Sequence, residues 1–389
     1  MNGRDRLLKT FKHEPVDRIP VAPLVYANAV YEMFDYRPDI ETFYDPPDFD
    51  LLGKCVEYCD HYGFDVAMIL GHVWDFFGWS TYRDHTITRS WENWDVSISD
   101  IRKPDAKQRT VDIRTPDGSL RHVEEYRKVS PYLVVWATAE YLIKTKEDFE
   151  ILRKYCPPCD VMDCRMVTRA RQAVGDKGII YPGMQGAFNT LNVFRRLDQI
   201  MQDPYIDEGF YREMIEYFSE WLIRRIPKWV QAGVDAIELG ANLAGSGVGP
   251  DFFERFVLNY ENTLLEEIHR HGVFAGYHNC GDAAKIMHLY NRMPMECWGY
   301  LTPPPYGDVI LEEALRVIRP DIILRGNIDH VDFLRKAKPG EIRTAVQQLL
   351  EKVKPRGNWI LATTDFWIDN IPRENIMAFA QAGRDYGYY

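Results

Sequence analysis

His278-Asn279-Cys280 sets two metal-ligating residue types two apart, just after the apolar run Val273-Phe274-Ala275-Gly276-Tyr277. The run reads as a buried strand, and side chains two apart on a strand share a side. An imidazole and a thiol therefore emerge together where a strand ends and a loop begins at Gly281. That pair suits zinc, a borderline-soft ion that accepts nitrogen and sulfur. The plainer account is a core histidine beside an inert thiol, since both residue types are often simply buried. Which account holds depends on what the strand end faces, and so on the elements around it.

Eight short apolar runs recur along the chain: Ile19–Leu24, Asp65–Leu70, Ile179–Gly183, Val234–Leu239, Val273–His278, Glu296–Tyr300, Ile322–Gly326 and Trp359–Thr363. Their β-branched and aromatic content, bounded by Gly, Pro or Asp, predicts buried parallel strands. Helical spacing fills the intervals. Pro204–Ala232 repeats Phe210, Met214, Phe218, Leu222 and Ile226; Asp251–His271 is similar; Asp332–Val353 opens on an Asp suited to an N-cap. Eight strands alternating with helices predict an α/β fold, a TIM (β/α)8 barrel, with an open doubly wound sheet as the alternative. The alternation breaks at about 74–141, after the second strand. There Thr115-Pro116-Asp117-Gly118-Ser119 predicts a β-hairpin inserted on a single barrel domain covering 1–389. The insertion carries Trp74, Trp79, Trp91, Trp94 and Trp136, most of them suited to the core of a small sheet.

Catalytic residues of such a barrel gather at the C-terminal ends of its strands. The polar residues expected there are Tyr26, Asn28, His72, Gln185, Asn189, Glu238, Asn242, His278, Cys280, Asn327, Asp329, Thr363, Thr364 and Asp365. A catalytic zinc usually takes three protein ligands and keeps one position open. With His278 and Cys280 as two, the third falls to a carboxylate. Glu238 on the neighbouring strand and Asp365 after the eighth both qualify, while Glu238 is equally suited to accept a hydrogen bond from His278. Tyr26, His72, Gln185, Asn242 and Asn327 are candidate substrate contacts. Cys156-Pro157-Pro158-Cys159 with Cys164 has no second C-x-x-C and no thioredoxin-like context, so it reads as structural. Cys55, Cys59 and Cys297 read as core thiols. His269 and His271 fall at the opposite end of the strand, near a helix C-terminus that favours cations.

The 389 residues are 46% hydrophobic and 13% aromatic, enough for a large core, and carry a formal net charge of −11. That balance argues against nucleic-acid binding. No stretch approaches eighteen uninterrupted apolar residues, so no membrane span is expected. No apolar leader follows Met1, and the seven cysteines do not form a secreted disulfide framework. A cytoplasmic location is expected.

Pro15-Val16-Asp17-Arg18-Ile19-Pro20-Val21, Tyr277-His278-Asn279-Cys280-Gly281, Arg325-Gly326-Asn327-Ile328-Asp329 and Ile371-Pro372-Arg373-Glu374-Asn375-Ile376 resemble, in order and spacing, the landmarks of the uroporphyrinogen decarboxylase superfamily. The resemblance implies a TIM barrel and two kinds of activity. The decarboxylases carry an R-Q-A-G-R segment soon after the first strand; here Val25-Tyr26-Ala27-Asn28-Ala29-Val30-Tyr31 contains no arginine. The zinc-dependent, corrinoid-linked methyltransferases carry His-x-Cys after the fifth strand, which His278 and Cys280 match. They commonly add a cysteine after the eighth strand, where this chain reads Ala362-Thr363-Thr364-Asp365-Phe366.

An oxygen ligand in place of a thiolate leaves zinc the stronger Lewis acid, which suits activation of an ether oxygen. The resemblance therefore implies the methyltransferase component of an O-demethylase. Such an enzyme uses Zn2+, takes a methyl group from a methylated small molecule, most naturally a methoxylated aromatic, and passes it to a Co(I) corrinoid. The corrinoid (cobalamin) rides on a separate corrinoid-binding protein. Tyr26, Trp74, Phe188, Trp298, Phe366 and Trp367 are candidates to hold a flat ring. Methylamines and methylated sulfur compounds stay open as donors, as does a homodimer. The alternatives are a methylcobamide:thiol methyltransferase, a metal-free decarboxylase and a non-enzymatic binding module.

Overall fold

The computed structural model describes residues 1–43, 45–68, 90–158 and 164–389. Its strands are β1 (Val66–Met68), β2 (Asp95–Lys103), β3 (Ala106–Thr115), β4 (Gly118–Lys128), β5 (Val134–Glu140), β6 (Gly178–Ile180), β7 (Gly183–Gln185), β8 (Ala236–Gly240), β9 (Phe274–His278), β10 (Cys297–Leu301), β11 (Ile323–Ile328) and β12 (Trp359–Thr363). β7 to β12 form one parallel sheet in chain order, and β1 pairs with β6. β6 and β7 are one stave interrupted at Tyr181-Pro182, where proline has no N–H for the ladder. Asp235 N–H to Ile180 O (2.9 Å) and Glu238 N–H to Pro182 O (2.9 Å) carry the pairing across the break.

Residues 19–24 close the ring. Val21 bridges Leu361 in parallel, and Asp65 N–H donates to Val21 O at 2.9 Å. This first stave is an isolated bridge and not the continuous strand expected, because Pro20 and Pro23 remove two of its donors. Eight parallel staves thus complete a TIM barrel among the described residues. Its interior holds Ala22, Leu24, Ile179, Tyr181, Ala236, Cys297, Ile323, Ile360 and Ala362. Phe11, from the N-terminal helix Gly3–Phe11, stacks its ring 5.7 Å from Tyr181 and 5.2 Å from Phe274, so that helix plugs the end away from the rim.

The helices depart from their expected bounds for local reasons. The Pro204–Ala232 helix begins at Glu208: Asp207 leaves helical geometry and its carboxylate accepts from Phe210 N–H at 3.0 Å. Asp251–His271 is broken by a π turn over Phe253–Val257 before Leu258–Arg270. Asp332–Val353 divides into Phe333–Lys336 and Pro339–Val353, and Asp332 makes no side-chain cap. Asp329 caps instead, accepting from Val331 N–H (2.8 Å) and Phe333 N–H (3.0 Å). Asp329 is therefore engaged as a cap and does not stand free at the rim.

Where one hairpin was expected, a four-stranded antiparallel sheet forms in the order β2-β3-β4-β5. Thr115 faces Gly118 across the expected turn. β2 is exposed at almost every position, and its alternation is confined to Val96 and Ile98 among Asp95, Ser97 and Ser99. The segment after β4 ties this sheet to the rim: Ser130 Oγ donates to Asp369, and Tyr132 OH donates to Asp35 at 2.7 Å. His72, Trp74, Trp79 and Cys159 lie outside the described residues. Among those described, no helix is long and apolar enough to cross a membrane.

Asp65 is 3% exposed and joins the N-terminal helix to the first stave and its approach. Its carboxylate accepts from Arg18 Nη1 (2.8 Å), from Arg6 Nη1 and from Val21 N–H (2.9 Å). Truncation would leave buried guanidiniums short of a counter-charge, which typically costs several kcal/mol. Asp65→Ala is expected to destabilise the fold by about 3 kcal/mol, measured as a lowered denaturation midpoint. An unchanged midpoint would show that the ring closes without this network.

Candidate metal centre

β7 to β11 pair so that Gln185, Gly240, His278, Gly299 and Arg325 lie at one level of the barrel. Glu238 sits two residues before Gly240 and therefore faces the same interior. His278 is 2% exposed and Glu238 1%. The imidazole Nδ1 lies 3.3 Å from Glu238 Oε2. Its other nitrogen, Nε2, is buried without a hydrogen-bond partner and points toward Asp365, whose Oδ1 is 3.8 Å away. Cys280 Sγ donates to Asp365 Oδ2 at 3.1 Å. One ligand atom each from His278, Cys280 and Asp365 lies within 4.8 Å of the other two. An unpaired imidazole nitrogen, a thiol and a carboxylate facing one point form a donor set that fits a divalent ion.

The two candidate carboxylates thus occupy different places. Asp365 shares the Nε2 side of the ring with Cys280; Glu238 lies on the Nδ1 side. Asp365 is held by its own loop, accepting from Phe366 N–H at 2.8 Å, while Thr363 Oγ1 donates to Asp365 O at 2.6 Å. Asn28 anchors the same loop from across the rim, donating to Trp367 O (3.0 Å) and Asp369 Oδ1 (2.6 Å).

Burial disfavours a charged His278 ring, but the Glu238 hydrogen bond and the charges of Glu238 and Asp365 outweigh it and raise its pKa. Burial, and then Asp365, push the Cys280 thiol well above its ordinary range. In the metal-free protein the thiol therefore keeps its proton and donates it to Asp365.

The other expected rim residues separate. Gln185 is buried, and neither polar atom of its side chain has a hydrogen-bond partner. Asn242 is exposed on the loop after β8, and Asn327 is half-buried at the end of β11. Tyr26 is buried with its ring 4.9 Å from Phe366, beside Asp365. Trp298, Trp367 and Phe188 are core: their rings pack on Tyr290 (5.0 Å), Phe379 (5.7 Å) and Phe252 (5.8 Å).

Three buried polar residues near the rim escaped the sequence reading. His330 places Nδ1 2.9 Å from Thr364 Oγ1, and burial lowers its pKa, so the ring stays neutral. Arg325 is fully buried on β11; it heads the landmark Arg325–Asp329 and is a charged residue inside an apolar run, but neither signal gave it a role. Glu261, within Leu258–Arg270, accepts from Phe188 N–H at 3.3 Å at the start of the helix Ala187–Phe194.

A family model described as Uroporphyrinogen decarboxylase (URO-D) matches residues 138–386. The chain belongs to the uroporphyrinogen decarboxylase family. A curated relative described as uroporphyrinogen decarboxylase, from Solibacter usitatus (strain Ellin6076), is 25% identical over 189 residues, 47% of this chain. The chain spans only 50% of that relative's length. Among solved structures, a methyltransferase from Methanosarcina mazei superposes with a TM-score of 0.70 at 16% identity, covering 99% of both chains. A B12-independent methionine synthase from Shewanella sp. W3-18-1, in complex with selenomethionine, superposes with a TM-score of 0.52 at 12% identity, covering 95% of this chain and 97% of that one. At such identities the likeness is one of fold.

Burial raises the Glu261 carboxyl from an ordinary value of 4.5 to about 8. The folded chain then keeps a proton that the unfolded chain releases above pH 4.5, so raising the pH from there to 8 lowers stability. Glu261→Gln keeps a carbonyl acceptor and does not titrate. The wild-type thermal midpoint is expected to fall relative to that variant as pH rises through this window, by roughly a few kcal/mol of stability at most. Parallel pH curves for the two proteins would refute a buried neutral acid at this helix start.

Proposed function

We propose that this protein is a zinc-dependent methyltransferase that demethylates a methylated small molecule and passes the methyl group to a Co(I) corrinoid on a partner protein. The observation that carries the reading is the buried, unpartnered His278 Nε2 facing Cys280 and Asp365 at the rim. In this reading His278 Nε2, the Cys280 thiolate and an Asp365 oxygen are the ligands. Glu238 is the acceptor that orients His278 through Nδ1 and is not itself a ligand. A zinc ion so held supplies a Lewis acid with an open position, able to polarise a donor oxygen.

The chain's own residues do the rest. Asp365 takes the place of the cysteine found in the resembling methyltransferases, which favours an oxygen leaving group over a thiolate nucleophile. Tyr26 and Phe366 give a flat ring an aromatic wall beside Asp365, so a methoxylated aromatic is the preferred donor. A Co(I) corrinoid on the partner would supply the nucleophile that takes the methyl carbon, with the C–O bonding pair left on the departing oxygen beside Asp365. Gln185, Asn242, Asn327 and His72 are assigned to orienting substrate or the loops around it. The net charge of −11 suits docking of a corrinoid protein through complementary charge.

A second reading, metal-free decarboxylation, draws on the description of the Solibacter relative. Against it stands the arginine-free segment Val25–Tyr31, which offers a polyanionic substrate no cation.

Stoichiometric zinc is expected in the purified protein and is expected to be lost in His278→Ala, Cys280→Ser and Asp365→Ala. Glu238→Gln should retain a site weakened by about 10–100-fold. Methyl transfer to a reduced corrinoid protein should vanish with the metal; full activity in metal-free enzyme would refute the reading.

Metal binding must expel the Cys280 proton and, at lower pH, the His278 proton. Apparent zinc affinity is therefore expected to rise with pH across the range from about 6 to 9, as read by chelator competition. A flat profile would remove Cys280 from the ligand set.

A further inference from the structure

We infer that Arg325 is a positioning residue for His278, acting through Glu238 to present Nε2 toward the rim; this rests on reading the triad as a metal centre. Arg325 is 0% exposed among apolar barrel residues. A guanidinium in such surroundings is strongly destabilising unless it is paired and hydrogen-bonded. Two of its nitrogens donate to one backbone acceptor, Ala22 O, at 3.2 and 2.8 Å. The third, Nη1, faces Glu238 Oε1 at 3.7 Å, and neither of those two atoms has a hydrogen-bond partner. Support of the first stave explains the donations to Ala22. It does not explain why a full charge is aimed at Glu238.

The other oxygen of Glu238 supplies the reason. A carboxylate has two oxygens in a rigid plane, so drawing Oε1 toward Arg325 fixes where Oε2 lies. Oε2 meets His278 Nδ1 at 3.3 Å. A carboxylate only accepts, so Nδ1 carries a ring proton, and once the ring is neutral Nε2 is the nitrogen that keeps its lone pair. Tyr300 braces the arrangement from one side: its ring lies 4.5 Å from the Arg325 guanidinium and 4.7 Å from the His278 ring. Charges also balance. The Cys280 thiolate and Asp365 offset a dication, and Arg325 offsets Glu238, leaving the metal-loaded interior neutral.

The test uses the full chain carrying Arg325→Met, Arg325→Lys, Glu238→Gln and the Arg325→Met/Glu238→Gln pair. In the metal-free wild type, at a pH high enough for the ring to be neutral, nitrogen-15 correlation spectra of His278 should show the Nδ1–H tautomer. Arg325→Met should add the Nε2–H tautomer and weaken zinc binding by about 10–100-fold in chelator competition. Arg325→Lys keeps the charge and should hold the tautomer with less than about tenfold loss, since a structural role alone would not be rescued by charge. The paired variant should be no weaker than Glu238→Gln alone, because both changes act on one link.

A wild-type tautomer and affinity in folded Arg325→Met overturns the inference. So does a strictly additive pair, or an Arg325→Lys as impaired as the Met variant. Where Arg325→Met does not fold, Arg325→Gln, which can still donate to Ala22 O, carries the same expectations. If the wild type binds no zinc, the metal reading falls, while the tautomer of the metal-free protein still decides the role of Arg325.

Discussion

His278 can turn only one ring nitrogen toward the rim, because Glu238 occupies the other at 3.3 Å. Most of the surrounding architecture follows from that constraint. The carboxylate must enter from β8 at the level just below the imidazole, which parallel pairing of β8 with β9 provides. Two strands, β9 and β10, lie between Glu238 and Arg325, and the residues opposite them are Gly276 and Gly299. A side chain at Gly276 would collide with the Tyr181 hydroxyl, so the interior has room for that ring only because this position is bare.

The rim is held by cross-ties between consecutive loops. Asn279 donates to Ala244 O (3.2 Å) and Tyr290 OH (2.6 Å), fixing the start of the loop that carries Cys280. Asp308 accepts from Ala283 N–H, Ala284 N–H and Ser246 Oγ, joining the loops after β8, β9 and β10. Asn28 and Ser130 converge on Asp369 beside the loop that carries Asp365. The antiparallel sheet thereby reaches the candidate centre through the same loop. Such bracing is what a centre assembled from separate staves requires, since a shift of about 1 Å in one ligand is enough to spoil its geometry.

Family membership and fold leave chemistry to these local arrangements. The barrel is shared with proteins whose descriptions differ, a methyltransferase and a methionine synthase among them. The local features of this chain that bear on chemistry are a carboxylate after β12, an arginine-free segment after the first stave, and a buried arginine facing Glu238.

Strand order was legible in the chain because buried parallel strands are short apolar runs, and seven of the eight runs begin or end within a few residues of a stave that pairs along its length. The first run misled in kind only, since its prolines were visible but their cost to pairing depends on the neighbours. β2 left only a short trace, Val96 and Ile98 between Asp95, Ser97 and Ser99, because a strand exposed on both faces needs no sustained apolar side. His278 and Cys280 could be paired from sequence alone: a spacing of two on a strand is a geometric statement. No spacing could say which of two carboxylates, Asp365 87 residues after His278 or Glu238 40 residues before it, would meet which ring nitrogen. That choice belongs to the closed ring, whose rim brings the loop after β12 to the end of β9 while keeping Glu238 a level below, and the same ring sets Arg325 against a partner 87 residues earlier in the chain.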